Sequence, residues 1–135
     1  MAFVHGKGAV FKLDNAADVL TDISAYVRSV SPKRSADTAE VTCFGALVKS
    51  YIAGLTDMTI SVEGVWDATL DAILHAALGA TKTFEFGPEG STGGDIKYTA
   101  ECICTSYTPG DASVDGAVMW SADLQVTGTL TRTTY

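Results

Sequence analysis

The chain has 135 residues, of which 47% are hydrophobic and 19% are charged, and its formal net charge is −7. This length predicts a single domain over residues 1–135, with a core large enough to fold without disulfides or metal. The excess of 16 Asp and Glu over 9 Lys and Arg disfavours adhesion to nucleic acid or to anionic membrane, because phosphate binding needs a basic patch.

The first residues and the cysteines indicate the cellular setting. The start, MAFVHGK, lacks the apolar stretch of a secretory signal, and no run approaches the ~20 apolar residues of a membrane span. Cys43, Cys102 and Cys104 make an odd number, which favours reduced thiols in a cytoplasmic setting. Cys102 and Cys104 lie two apart in a strand-like run, so we expect both to face the core.

Strands and one long arm are predicted for the first half of the chain. Residues 8–13 predict a short strand, and residues 19–30 predict a second one that ends at Pro32, because proline cannot donate to a strand ladder. Residues 32–54 are the least regular stretch, with mixed charges and only a brief strand-like run near 40–44. We interpret this segment as an extended loop or arm, since long connections are often functional.

A helix interrupts the strands of the second half. Residues 56–66 alternate between apolar and polar, and residues 67–79 then carry an apolar stripe at helical spacing. Asp67 is a plausible N-cap and Gly79 a plausible C′ residue, so this segment predicts a short helix packed on a sheet. Residues 81–86 and 95–107 predict two further strands, separated by a glycine-rich hairpin tip at 87–94, and Pro109-Gly110 predicts a loop.

The last segment has the strongest pattern. Residues 118–133 alternate almost without a break between an apolar face and a polar, threonine-rich face. This period of two predicts a strand much longer than the usual ~5–6 residues. A polar face of that length favours contact with water or with a neighbouring subunit, and it points to assembly rather than chemistry.

Candidate chemical sites are weak. The Gly6-Lys7-Gly8 run precedes a strand, so it lacks the context of a phosphate loop and is better read as a flexible arm. A zinc site would need His5 and His75 to converge on Cys102 and Cys104, which are better read as core residues. The run from Asp111 to Gly116 resembles the start of a calcium loop, but Ala122 stands where a bidentate glutamate is needed. We predict no catalytic residues, no metal and no cofactor.

The order of segments resembles that of the major tail proteins, or tail tube proteins, of long-tailed bacteriophages. The similarity covers most of the chain. It is carried by residues 22–30 (DISAYVRSV), 39–45 (AEVTCFG) with 49–57 (KSYIAGLTD), 59–67 (TISVEGVWD), 86–90 (FGPEG) and the closing strand 118–133.

The resemblance implies a mainly β fold, a β-sandwich or half-open barrel with one flanking helix and an arm-like loop. It further implies a structural virion protein, not an enzyme, that forms stacked, hexameric rings around a channel for DNA. Its partners would be further copies of itself and other tail proteins (tape measure, terminator and distal tail), and DNA would pass without specific binding. Assembly would take place in the host cytoplasm, and the product would be the virion tail.

Under this hypothesis the arm at 32–54 contacts neighbouring subunits and rings, with contributions from both chain termini. The candidate contact residues are Lys33, Arg34, Asp37, Glu40, Phe44, Lys49 and Tyr51. Three alternatives remain open at this point. They are a tail-completion or head–tail joining ring protein, a tube subunit of a contractile injection device, and a carbohydrate-binding β-sandwich.

Overall fold

The computed structural model describes residues 5–135, which form seven strands and one α-helix. Two 3-10 turns, at Gly6–Gly8 and Ser24–Tyr26, complete the described elements. The helix is α1 (Ala68–Ala77), and the strands are β1 (Val10–Asp14), β2 (Leu20–Asp22), β3 (Val27–Glu40), β4 (Tyr51–Val65), β5 (Thr81–Gly87), β6 (Ile96–Asp111) and β7 (Met119–Thr134).

All seven strands belong to one antiparallel sheet in the order β2-β1-β5-β6-β7-β4-β3. The edge strands β2 and β3 are consecutive in the chain, and only residues 23–26 join them. Because four residues cannot span a flat seven-stranded sheet, the sheet curls until its two edges approach each other at this linker. The prediction of a mainly β, half-open barrel with one flanking helix is confirmed.

Close contacts of β4 and β7 with the backbone at the start of β3 hold the sheet in its curled shape. The indole nitrogen of Trp120 in β7 donates to the carbonyl oxygen of Tyr26 at 3.0 Å. Gly64 in β4 lies beside the same peptide, and a Cβ there would come within 2.8 Å of the carbonyl carbon of Tyr26. A glycine is therefore required at position 64, because the obstructing atoms are backbone and cannot rotate away.

One face of the curled sheet forms the core. Every second residue is buried from Met58 to Gly64 in β4 and from Trp120 to Val126 in β7, as the alternation predicts. Phe11 of β1 packs on Phe84 and Phe86 of β5, with ring centroids 6.2 and 6.3 Å apart. Cys102 and Cys104 are buried in the same cluster, so the prediction that they are core residues is confirmed.

Helix α1 covers this core as predicted. Its buried residues are Leu70, Ile73, Leu74 and Ala77. The Asp67 carboxylate accepts from the backbone N–H of Thr69 at 2.9 Å, and Gly79 takes a φ of 74°, which glycine adopts without strain. Among residues 5–135, no helix is long and apolar enough to cross a membrane.

The prediction of a single strand over residues 19–30 is wrong. The chain leaves β2 after Asp22, and its carboxylate accepts from the backbone N–H of Ser24 at 2.9 Å, which starts the 3-10 turn. The Ser24 hydroxyl then accepts from the backbone N–H of Phe11 at 2.9 Å. This local turn separates β2 from β3 and sends them to opposite edges of the sheet.

The segment predicted as an extended loop or arm, residues 32–54, does extend from the domain, but it is a paired β-ribbon and not an irregular loop. β3 and β4 stay paired from their bases out to Glu40 and Tyr51. Residues 31–57 are exposed throughout, on both faces of the ribbon.

The prediction of a loop at Pro109-Gly110 is wrong, because both residues lie inside β6. A register shift against β7 and a φ of 69° at Gly110 accommodate them there.

Candidate assembly surfaces

The first candidate surface is the exposed ribbon, residues 31–57. Two hydrogen bonds close the far end of the ribbon, beyond the last paired residues of β3 and β4. The Val41 N–H donates to the Ser50 carbonyl, and the Ser50 N–H donates to the Thr42 hydroxyl, both at 2.8 Å. We call residues 41–50 the tip. An isolated two-stranded ribbon is at best marginally stable in water, so this element calls for a partner surface.

All seven predicted contact residues lie on this ribbon, and all are exposed. Lys33 and Arg34 pair across the ladder with Thr59 and Met58, Glu40 pairs with Tyr51, and Phe44 lies in the tip. They follow the ribbon along its length and do not converge on one spot. Their role as contacts stays a prediction.

The sequence reasoning missed most of the apolar side chains on the ribbon. Phe44 and Tyr51 are among the predicted contacts, but five other large apolar residues are also exposed there, namely Val41, Leu47, Val48, Ile52 and Leu55. The available signal was the run VTCFGALV at 41–48, which contains no charge. Large exposed apolar patches mark interaction sites in proteins.

The second candidate surface is the polar face of the sheet. Asp123 in β7 accepts from the hydroxyl of Ser61 in β4 at 2.9 Å and from that of Ser106 in β6 at 3.2 Å. This carboxylate therefore bridges three strands. Asp57 accepts from the Gln125 amide at 2.6 Å, in the same polar row.

Two lysines on the same face contact an acidic group and an aromatic ring. Lys12 and Lys97 both contact the Glu85 carboxylate, at 3.5 and 3.2 Å, and both lie over the ring of Tyr135, at 5.7 and 5.0 Å from its centroid. The Glu101 carboxylate accepts from the Thr83 hydroxyl at 2.7 Å. The carboxylates of this face, Asp57, Glu85, Glu101 and Asp123, outnumber Lys12 and Lys97, so the face carries net negative charge and would repel phosphate groups.

The third candidate surface is an open groove of about 480 Å³ where the two ends of the sheet approach each other. Its apolar lining comes from Ala9, from β1, from the base of β3 and from β5; the strand residues are Val10, Phe11, Val27, Val30 and Phe86. Lys7 and Arg28 also line it, and both side chains reach solvent. Within residues 5–135 neither of these cations forms an ion pair.

The groups that could bind a metal do not converge. Over the described part of the chain, no cluster of three or more His, Cys, Asp or Glu could hold a metal ion. Burial raises the pKa of Cys102 to about 12, with a further contribution from the neighbouring Cys104, so the thiol stays protonated and unreactive. Gly6–Gly8 forms a 3-10 turn, in which the Lys7 N–H donates to the His5 ring at 3.1 Å.

The chain termini were also expected to make contacts. Tyr135 is tied to its own domain, because its N–H donates to the Asp95 carbonyl and its carbonyl accepts from the Gly94 N–H, both at 2.9 Å. Residues 1–4 lie outside the described residues. The contribution of either terminus to assembly stays a prediction.

Comparison with known proteins identifies the family. The sequence model of the phage tail tube protein family matches residues 3–132 of the chain. The chain belongs to this family. A search of curated proteins finds no significant match.

Solved tail structures share the fold of this tail tube protein. The tail of an empty GTA particle, refined helically with C6 symmetry, matches with a TM-score of 0.78 at 20% identity over 97% of this chain and 99% of that one. The SPP1 tail tube matches with a TM-score of 0.77 at 14% identity, covering 98% and 80%. A sheath–tube complex of an extracellular contractile injection system matches with a TM-score of 0.69 at 13% identity, covering 98% and 93%.

Family membership settles the class of function. The chain is a structural tail tube subunit and not an enzyme, as predicted. The carbohydrate-binding and tail-completion alternatives are not favoured.

Proposed function

We propose that the subunit polymerises into stacked hexameric rings that form the tube of a phage tail, and that DNA passes through the bore without specific binding. The observation that carries the proposal is the ribbon of residues 31–57, which is exposed on both faces and rich in apolar side chains. A ribbon whose side chains are exposed on both faces acquires a stable environment when neighbouring copies cover it. The C6 symmetry of the matching GTA tail supports six copies per ring.

Sheet edges support closure into rings. Among residues 5–135, no strand pairs with the outer edge of β3, which is 14 residues long, and such edges aggregate unless another element pairs with them. A ring in which each β3 meets the next subunit removes every free edge of this kind. The predicted contact residues Lys33, Arg34 and Asp37 lie on this strand, and we assign them to subunit and ring contacts.

The acidic polar face suits the wall of the bore. Six subunits at −7 each carry a formal charge of −42 per ring, and carboxylates such as Asp123 are fixed by hydrogen bonds. Like charge between the wall and DNA phosphates lets the genome slide without adhering. Further proposed partners are the tape measure, terminator and distal tail proteins, and the proposed place of assembly is the host cytoplasm.

Assembly of the purified chain tests the proposal. Size-exclusion chromatography with light scattering, followed by negative-stain microscopy of the high-mass fraction, should show hollow rods with six-fold end views. Shortening the tip at 41–50 should leave a folded subunit that builds no rods. The matched control shortens the exposed loop at 112–117 and should still assemble. A wild-type chain that stays monomeric at millimolar concentration would overturn the proposal.

A further inference from the structure

Lys82 is a buried lysine that reaches the turn between β1 and β2. It lies in β5 and is 7% exposed, and its ammonium donates to the Asp18 carboxylate at 2.6 Å and to the Asn15 carbonyl at 3.3 Å. Burying a charge costs free energy that an apolar side chain of similar length, such as methionine, would avoid. Core packing therefore does not account for a lysine here, and its role lies in the turn that it holds.

The turn, residues 15–19, is strained and densely hydrogen-bonded. Asp18 has a φ of 59°, a left-handed conformation that is costly for a residue with a side chain. The Asn15 side-chain oxygen accepts from the backbone N–H groups of Ala17 and Val19, at 2.8 and 3.1 Å. The Asp18 N–H donates to the Asn15 carbonyl at 3.0 Å, and Lys82 contacts the same oxygen. Strain persists only where the surrounding contacts fix it, and it often marks positions with a functional role.

The turn positions β2, a short strand at one edge of the sheet. Only three residue pairs join β2 to β1. Within residues 5–135 no strand pairs with the outer edge of β2, and beside this edge Val19 and Leu20 are 58% and 39% exposed. So short a ladder does not fix the strand direction by itself. The direction in which this edge points depends on the turn, and through the turn on Lys82.

Ring closure requires an edge of this kind. A contact between the same surface on both partners closes as a two-fold dimer, whereas a larger ring repeats a contact between two different surfaces. The outer edge of β3 must therefore meet something other than β3 on the next copy. In the sheet formed by residues 5–135, the other unpaired edge is that of β2. The occupant that fits β2 is thus β3 of a second copy, and an error in the angle of β2 would repeat at every contact of the ring.

We propose that Lys82 is a positioning residue for ring closure: it holds the Asn15 carbonyl and the Asp18 carboxylate, and it thereby sets the angle at which β2 meets β3 of the neighbouring subunit. This inference rests on the proposed function, because it needs a ring. It predicts that assembly depends on the contact between Lys82 and Asp18 more strongly than the stability of the subunit does.

A double variant separates assembly from stability. Lys82→Met/Asp18→Gly removes the contact, the buried charge and the strained φ together, and it leaves the net charge of −7 unchanged. Dilute monomer should keep the wild-type free energy of unfolding in urea or gain stability. The concentration at which light scattering shows half-maximal assembly should nevertheless rise about tenfold or more, because each contact loses its fixed edge. A structural role alone would leave assembly intact in a subunit of this stability.

Two single variants are the matched controls. Asp18→Asn keeps a side-chain oxygen for the ammonium and tolerates the left-handed conformation, so it should assemble at the wild-type concentration. Asp115→Gly makes the same exchange as Asp18→Gly in the exposed loop at 112–117, and it should also assemble normally. Assembly of the double variant at the wild-type concentration would overturn the inference, as would an equal loss of assembly in either control.

Hydrogen exchange on the wild-type chain tests the contact without any substitution, and it decides the question even if the double variant fails to fold. The backbone N–H groups on the outer edge of β2 should exchange about tenfold more slowly, or slower still, in assembled rings than in dilute monomer. Unchanged exchange at residues 20–22 in intact rings would overturn the inference and leave the proposed function standing. Absence of rings even from the wild-type chain would overturn the proposed function itself.

Discussion

Replacing Gly64 by alanine should destabilise the subunit strongly, although it adds only one methyl group. The new Cβ would lie 2.8 Å from the carbonyl carbon of Tyr26 and 2.9 Å from the Cα of Val27. Both atoms are backbone, so the strand β4 or the start of β3 must move. Overpacking of this kind costs about 1–3 kcal/mol.

The same movement breaks a buried hydrogen bond. The Trp120 indole N–H donates to the Tyr26 carbonyl, and Trp120 is only 2% exposed. Leaving this donor unpaired costs about 1–3 kcal/mol more. The total of roughly 2–6 kcal/mol is a large part of the ~5–15 kcal/mol by which a typical domain is stable.

Urea unfolding followed by tryptophan fluorescence measures this loss. The measurement is made on dilute protein that light scattering shows to be monomeric, because assembly would otherwise add to the apparent stability. Gly93→Ala is the matched control, since a Cβ at Gly93 meets nothing within 4 Å, and its free energy of unfolding should change by less than ~0.5 kcal/mol. A Gly64→Ala variant as stable as the Gly93→Ala variant would refute the reasoning about the closed end of the sheet.

Three further predictions concern thiols, pH and salt. Cys43 should react with a thiol reagent in the native subunit, whereas Cys102 and Cys104 should react only on unfolding; equal labelling of all three would contradict their burial. The free energy of unfolding should fall as pH rises from about 9 to about 12, because the pKa of the Cys102 thiol is near 9.0 in the unfolded chain and about 12 in the folded one. In this range the unfolded chain loses the thiol proton and the folded chain keeps it. Denaturant titrations that give the same free energy across this range would contradict the prediction. Added salt should strengthen ring stacking, because it screens the −7 charge of each subunit over ~10 Å; tubes that dissolve in salt and re-form without it would count against the acidic bore.

The sequence predicted those elements that have one buried face. In β4, Met58, Ile60 and Val62 alternate with polar residues because one side of the strand packs on the core. In α1, Leu70 and Leu74 recur at helical spacing for the same reason. Periodicity records one-sided burial, and it was reliable wherever burial was one-sided.

The paired strands of the ribbon were not predicted because the ribbon has no buried face. From Ser31 to Asp57 both sides are exposed, so apolar and polar residues need not alternate, and Pro32 suggested an end where the strand continues. The two strands of the ribbon are stabilised by pairing with each other, and the residue pattern within one strand does not show which strand pairs with it. The turn at Ser24 was missed for a different reason, because its signal is a local hydrogen bond to the Asp22 carboxylate and not a pattern of burial.

Two-sided exposure of the ribbon also bears on how polymerisation begins. The first ring has no neighbour above or below it, so its ribbons become ordered without burying their side chains, and the conformational entropy lost is not offset. Every later ring adds to an end that already offers a complementary surface. Nucleation is therefore the slow step and elongation the fast one, and a preformed template at one end would decide where and when a filament starts to grow.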